Sequence, residues 1–244
     1  MNNKANRVAR LTSSNASLFM VPGKGEYGFG AGAITYINNK KKELDYGRGI
    51  TLPVNKDDIL WGKLWEVWVH WQLGPEYELI IDQTTIHPKY SFWSGSQDFN
   101  ILIEGKGIAE LKAYQMSNHY DYVKCLQQKN IQLLKSEYAF EYWQIVSNCC
   151  INNAKYGEAI AFLPTEKNLI EMRELLEDTD YIEKHLKEDP NKYKRFWDKD
   201  LWDLGFIPNH SNFTSMEKFR FEVPVEDKIA LTGKMIKAGK LLLG

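Results

Sequence analysis

Residues 94–112 read SGSQDFNILIEGKGIAELK. Apolar and polar residues alternate on both sides of Glu104-Gly105-Lys106-Gly107-Ile108, the pattern of two strands joined by a glycine-rich turn. A three-residue turn pairs Glu104 with Ile108, and therefore Leu102 with Glu110 and Asn100 with Lys112. Side chains alternate faces along a strand. Asp98, Glu110 and Lys112 then share one face, while Phe99, Ile101, Ile103, Ala109, Leu111 and Ala113 form the other. A two-residue turn would flip one strand and break both patterns.

An isolated Glu-x-Lys is most often a solvent-facing charge pair. Two carboxylates and a lysine on one sheet face also suit a hard cation, because carboxylate oxygens match Mg²⁺ or Mn²⁺. A lysine beside them can orient or deprotonate a water, or stabilise charge on a phosphate. Together these groups can hydrolyse a phosphodiester by activating water and neutralising charge in the transition state.

Upstream, the sequence predicts short helices over 12–20 and 33–44, separated by a glycine-rich turn at 23–32 that lacks the Gly-Lys-Ser/Thr of a phosphate loop. In a helix over 61–73, Trp61, Leu64, Trp65, Trp68 and Trp71 recur at three and four and form one wide apolar face. Glu66 and His70 share another face, and Gly74-Pro75 ends the helix. Strand-like runs follow at 77–87, 91–104 and 108–114. A long helical region is expected over 130–153, then a short buried-type strand over 157–163. Residues 168–199 read as helices with solvated faces, 202–214 as a turn region, 219–225 as a strand and 226–243 as an amphipathic helix. This order points to one mixed α/β domain over residues 1–244, without repeat or linker.

The chain has 244 residues, 31 Lys plus Arg against 32 Asp plus Glu, and 43% apolar residues. This suits a packed core and excludes a disordered tail, a collagen-like fibre and a disulfide mini-protein. The balanced charge gives no sign of nucleic acid, although a basic groove can sit on a neutral protein. The cysteines are Cys125, Cys149 and Cys150, an odd number with no CxxC pair, which argues against disulfides and a structural zinc site. A pair such as His70 and His87, without a third ligand at sensible spacing, is more often structural. No signal peptide and no membrane span are read, so a cytoplasmic setting, in a bacterium or a phage-infected host, is expected.

Asp98 followed by Glu110-Leu111-Lys112 resembles the PD-(D/E)xK nuclease signature on adjacent strands. Trp61-Gly62-Lys63-Leu64-Trp65-Glu66 resembles the WGxxxE helix of YqaJ-type viral recombinases, relatives of phage lambda exonuclease. His87-Pro88 precedes Ser94-Gly95-Ser96-Gln97-Asp98 where that family has HP and then a Ser-Pro-Asp. Tyr142-Trp143-Gln144 stands where it places a Gln, and Arg10-Leu11-Thr12-Ser13-Ser14 resembles its opening Arg…Thr-x-Ser segment. The one departure is Gln97 in place of the motif's proline, which shapes the backbone and is not a ligand.

The resemblance implies a restriction-endonuclease-like α/β core, a mixed central sheet flanked by helices. It implies that Asp98, Glu110 and the Leu111 carbonyl hold Mg²⁺ or Mn²⁺, with Glu66 reaching the metal directly or through water. Lys112 would activate the attacking water, and Gln144 would support that water or the scissile phosphate, with Ser147 and Asn148 sharing its helix face. Arg10, Ser14, His119 and Lys124 would meet the DNA backbone. The implied activity is a 5′ to 3′ exonuclease on linear double-stranded DNA in phage-type recombination. A single-strand annealing protein would be its partner and a homotrimer ring its assembly, with Lys and Arg segregated to the lumen. Two other readings stand beside it. One is a structure-specific or restriction-like endonuclease of the same fold. The other is a non-catalytic DNA-binding or assembly protein, against which the intact Asp98, Glu110 and Lys112 argue.

Overall fold

A computed structural model of the chain describes residues 6–50, 56–186 and 205–244. Its centre is a five-stranded mixed sheet in the order β2-β5-β6-β7-β8: Tyr77–Leu79, Phe99–Ile101, Gly107–Lys112, Tyr156–Phe162 and Met216–Glu222. β6 and β7 run parallel and the other neighbours antiparallel. β1 (Leu11–Thr12), β4 (Trp93–Gly95) and β3 (Thr85–Ile86) form a small second sheet.

β6 and β7 are buried along almost their whole length, the pattern of strands covered on both faces. Their side chains divide strictly. Ile108, Ala159 and Ala161 join one core with α6 (Ala139–Asn152) and the C-terminal helix Val225–Leu243. Phe99, Ile101, Ala109, Leu111, Ile160 and Phe162 join a second core with α3 (Lys56–Gln72) and α7 (Glu166–Glu177). The apolar face predicted from residues 99–113 is thus the second core, with Ile103 and Ala113 packed at its margin. The charged face lies under α6 rather than in solvent, so the ordinary solvent-facing ion pair is excluded.

The hairpin register differs from the three-residue expectation. Phe99 pairs with Ala109, Asn100 with Ile108 and Ile101 with Gly107. The connection is longer, and Gly105 and Lys106 turn the chain at positive φ. The slip is an even number of residues, so every side chain stays on its expected face. The run 77–87 divides between two sheets, with Asp82 at positive φ between the halves. The run 91–104 likewise divides into β4 and β5. The opening segment expected as one helix is β1, a 3-10 turn at Ser13–Asn15 and α1 (Ala16–Met20). The helix expected over 33–44 is α2 (Ala31–Tyr46), ended by Gly47 at φ 64°. A helix not anticipated, α4 (Met116–Gln127), precedes α5 (Ile131–Glu137) and α6. Trp61 and Trp65 are core residues as expected, but Trp71 is 45% exposed, with its ring edge against Tyr181. Residues 187–199 and 202–204 of the predicted helical and turn regions lie outside the described residues.

Gly95 in β4 marks the tightest junction near the charged face. A Cβ there would stand 2.1 Å from both Asn148 Oδ1 and Ser13 Oγ, and 2.8 Å from Ile151 Cδ1. Gly95→Ala is therefore expected to destabilise the fold by roughly 1–3 kcal/mol. Thermal melting checks this, and an unchanged melting temperature would contradict the close packing of β4 on α6.

Candidate active site

Continuing the β5–β6 register one step sets Asp98 across from Glu110. The Asp98 backbone N–H still donates to the Ala109 carbonyl at 3.2 Å. The Asp98 carboxylate turns back over β6 and accepts from the Leu111 N–H at 2.7 Å. One hydrogen bond thus joins the residue before β5 to the Glu-Leu-Lys segment.

Above this strand end, α6 carries a polar stripe. Gln144 Nε2 donates to Glu110 Oε2 at 2.6 Å, and Gln144 Oε1 accepts from Lys112 Nζ at 3.0 Å. Asn148 Nδ2 donates to the other Glu110 oxygen and to the Ser96 carbonyl at 3.0 Å. Ser147 Oγ accepts from the Trp93 indole at 2.9 Å and donates to Ser13 Oγ at 2.8 Å. Asn152 donates to Gln97 Oε1 at 3.3 Å, and Gln97 donates to Asn100 Oδ1 at 2.8 Å. Residues 144, 147, 148 and 152 recur at helical spacing, so one face of one helix holds the acidic strand end from Lys112 to Gln97. Gln97, at the motif's proline position, ties the approach to β5 onto this helix.

Glu110 is 1% exposed. Burial, and then the charge of Asp98, hold its carboxyl well above the ordinary range, while Lys112 and the Asn148 amide oppose the rise and Glu66 adds to it. Burial raises Asp98 as well, opposed by Lys112 and the Leu111 N–H. Glu66, partly buried on α3, is pushed up to about 8, by burial first and by Asp98 second. The three carboxyls thus feel one another across the strand end, a pattern that marks functional sites.

Among the described residues, no group of three or more His, Cys, Asp or Glu side chains is arranged to hold an ion. Asp98 and Glu110 with the Leu111 carbonyl remain an oxygen-only donor set. It fits Mg²⁺, which is commonly held by one or two carboxylates with water in the other positions. A dication would also relieve the crowding that raises the three carboxyls.

The expected DNA-contacting residues are placed differently from one another. Arg10 donates from Nε to the Ser91 carbonyl at 2.8 Å, and Ser14 Oγ lies 3.1 Å from Thr12 Oγ1. Ser13, not Ser14, is the residue of this segment that meets α6. Lys124 is exposed, with Nζ 5.7 Å from the ring centres of Tyr120 and Phe213. The expectation for His119 is corrected: its ring is 1% exposed, with Nε2 3.1 Å from the Thr214 carbonyl and Phe213 edge-on beside it. A histidine packed this way fills the core beneath α4 and presents no ring nitrogen to a DNA backbone. His87 stacks on Trp93 at 4.8 Å, and His70 lies 3.2 Å from the Tyr77 carbonyl, which agrees with structural roles for both. Asn148 and Ser147, read as sharing the Gln144 face, do line the site, while Gln97 and Ser13 were given no place in it. Neither carried a signal in its local spacing, because each meets α6 across a long stretch of chain.

The same layout of sheet and helices occurs in solved exonucleases. An alkaline exonuclease from Laribacter hongkongensis, LHK-Exo, in complex with dAMP superposes with a TM-score of 0.58 at 13% identity, over 98% of this chain and 89% of that one. A phage-related exonuclease from Haemophilus somnus gives a TM-score of 0.55 at 10% identity, over 96% and 93% of the two chains. The fold is the restriction-endonuclease-like α/β fold. No protein-family model matches the sequence, and no curated protein matches it.

A carboxyl whose pKa rises on folding stabilises the fold below its ordinary range and loses that contribution as pH climbs through the raised value. For Glu66 the window runs from 4.5 to about 8. In EDTA, Glu66→Gln is expected to gain stability relative to the unsubstituted protein as pH rises from about 5 to about 9, on the order of 1–2 kcal/mol after allowing for partial solvent access. Melting curves across that range check the sign, and a gain that shrank with pH would contradict the crowding of these carboxyls.

Proposed function

We propose that the chain is a single exonuclease domain over residues 1–244 that hydrolyses DNA phosphodiesters with Mg²⁺ or Mn²⁺. Its substrate is the end of linear double-stranded DNA, digested in the 5′ to 3′ direction. The observation that carries this reading is the joint placement of Asp98, Glu110, Lys112 and Gln144 at one strand end, in a fold shared with solved exonucleases. The dAMP bound by LHK-Exo supports a nucleotide as the kind of ligand such a fold accepts.

A divalent cation held by Asp98, Glu110 and the Leu111 carbonyl would supply Lewis-acid stabilisation of the scissile phosphate and acidify a bound water. The chain's own groups do the rest. Lys112, held by Gln144, orients the attacking water and offers positive charge to the phosphate. Gln144 also fixes Glu110, so a single amide keeps the lysine and the carboxylate in register. Glu66 completes the electrostatics from α3, directly or through water. Its raised carboxyl, with those of Asp98 and Glu110, gives a physical reason for activity that rises toward alkaline pH, because ligation requires the ionised forms. Arg10, Ser14 and Lys124 are proposed to meet the DNA backbone. A ring of three copies and a single-strand annealing partner complete the proposal, in a cytoplasmic setting. Among the described residues, no helix is long and apolar enough to cross a membrane.

Incubation with 5′-labelled linear duplex in Mg²⁺ should release the label early as mononucleotide, and EDTA should stop the release. Covalently closed plasmid should survive. Cutting of the closed circle, with long labelled fragments from linear DNA, would establish an endonuclease instead. Asp98→Ala and Lys112→Ala should each lower Mg²⁺-dependent cleavage about 100-fold or more without loss of fold. Equal activity in both variants and the unsubstituted protein would reject the site.

A further inference from the structure

We propose that Asn148 is the positioning residue that sets the gap between Asp98 and Glu110, and thereby selects a small divalent cation over a larger one. The proposal rests on the divalent-cation reading of the site given above. It concerns a residue that ligates nothing itself.

Asn148 is fully buried on α6. Its single NH₂ group reaches two strand segments at once: the Glu110 carboxylate on β6, and the Ser96 carbonyl two residues before Asp98. One proposed ligand carboxylate and the backbone that leads into the other are therefore held by one small rigid group. The amide can stand only this way round. Reversed, Oδ1 would face a carboxylate oxygen and a backbone carbonyl, three acceptors with no hydrogen between them. In the observed orientation Oδ1 has no hydrogen-bond partner and is pressed toward Gly95, where a Cβ would come within 2.1 Å of it. An unpartnered buried carbonyl costs free energy, and the site carries that cost to keep both hydrogens on the strand side. Neighbours hold the group from either end. Gln144 takes the other oxygen of Glu110, and Ser147 is bonded to Ser13 and Trp93.

Ion size is where this gap acts. Mg²⁺ requires near-octahedral oxygens at about 2.0–2.1 Å, whereas Ca²⁺ accepts about 2.3–2.6 Å in flexible geometry. Groups that orient metal ligands typically change affinity about 10–100-fold when removed. Loss of the Asn148 donors frees Glu110 and the 96–98 segment to separate, which weakens Mg²⁺ and is tolerated by Ca²⁺. General destabilisation has no such preference.

The test is calorimetric titration of the full chain with Mg²⁺ and, separately, Ca²⁺, in unsubstituted protein, Asn148→Ala and Asp98→Ala. Expected are a rise of about 10-fold or more in the Mg²⁺ dissociation constant of Asn148→Ala and a clearly smaller rise for Ca²⁺. Equal weakening of the two ions, or no weakening of Mg²⁺, overturns the proposal. Binding in the unsubstituted protein that vanishes in Asp98→Ala upholds the site itself whatever Asn148 does, so the two failures are separable. Should Asn148→Ala not fold, the asparagine-labelled unsubstituted protein decides. The Asn148 side-chain amide signals must move on Mg²⁺ saturation and be shielded from solvent exchange, and signals that stay in place overturn the assignment.

Discussion

The constraint on which the rest depends is a buried carboxylate without a direct counter-cation. Both oxygens of Glu110 are taken by neutral amides, those of Gln144 and Asn148. Lys112 is near enough to ease its charge, yet its hydrogen bond goes to Gln144. Burying an ionised group this way costs several kcal/mol unless it is well bonded. The fold meets that cost with two packed cores, one on each face of the sheet, and with amides placed on a helix that is otherwise apolar toward the same sheet.

Glu158, on the neighbouring strand β7, shows the other solution. It is equally buried, but Arg220 donates to it at 2.6 Å and Tyr77 at 2.7 Å. That carboxylate faces the second core, carries its own cation and needs nothing further. The two glutamates sit on adjacent strands of one sheet, on opposite faces, and differ in what neutralises them. One is a finished structural element, and the other is left in need of positive charge.

Much of this was readable because sheet faces follow parity. The alternation across residues 98–113 fixed which side chains share a face, and a hairpin of different length moved the pairing by an even number without disturbing that. The helix carrying Gln144 was legible as part of one helical region over 130–153, which the structure divides into α5 and α6 at Tyr138. The site's inner layer was not, because Gln97, Ser13 and Asn152 act through contacts between segments far apart in sequence. α4 was missed for a different reason. Its buried residues are His119, Tyr122, Val123, Cys125 and Leu126, and His119 and Tyr122 carry polar atoms that sequence reading assigns to the surface. Strands of two or three residues, such as β1, β3 and β4, are too short for any period to show.

The bond between Ser13 and Ser147 spans 134 residues, and β1 pairs with β4 by setting Leu11 beside Trp93. During synthesis the segment at 11–13 precedes α6, and Ser13 must wait for that helix before its hydroxyl can accept from Ser147. The acidic strand end is likewise open until α6 covers it. Long-range closure of this kind is slow in folding. It also means that no nascent fragment ending before about residue 150 holds the assembled cluster, so the order in which the chain is made keeps the chemistry back until α6 has been added.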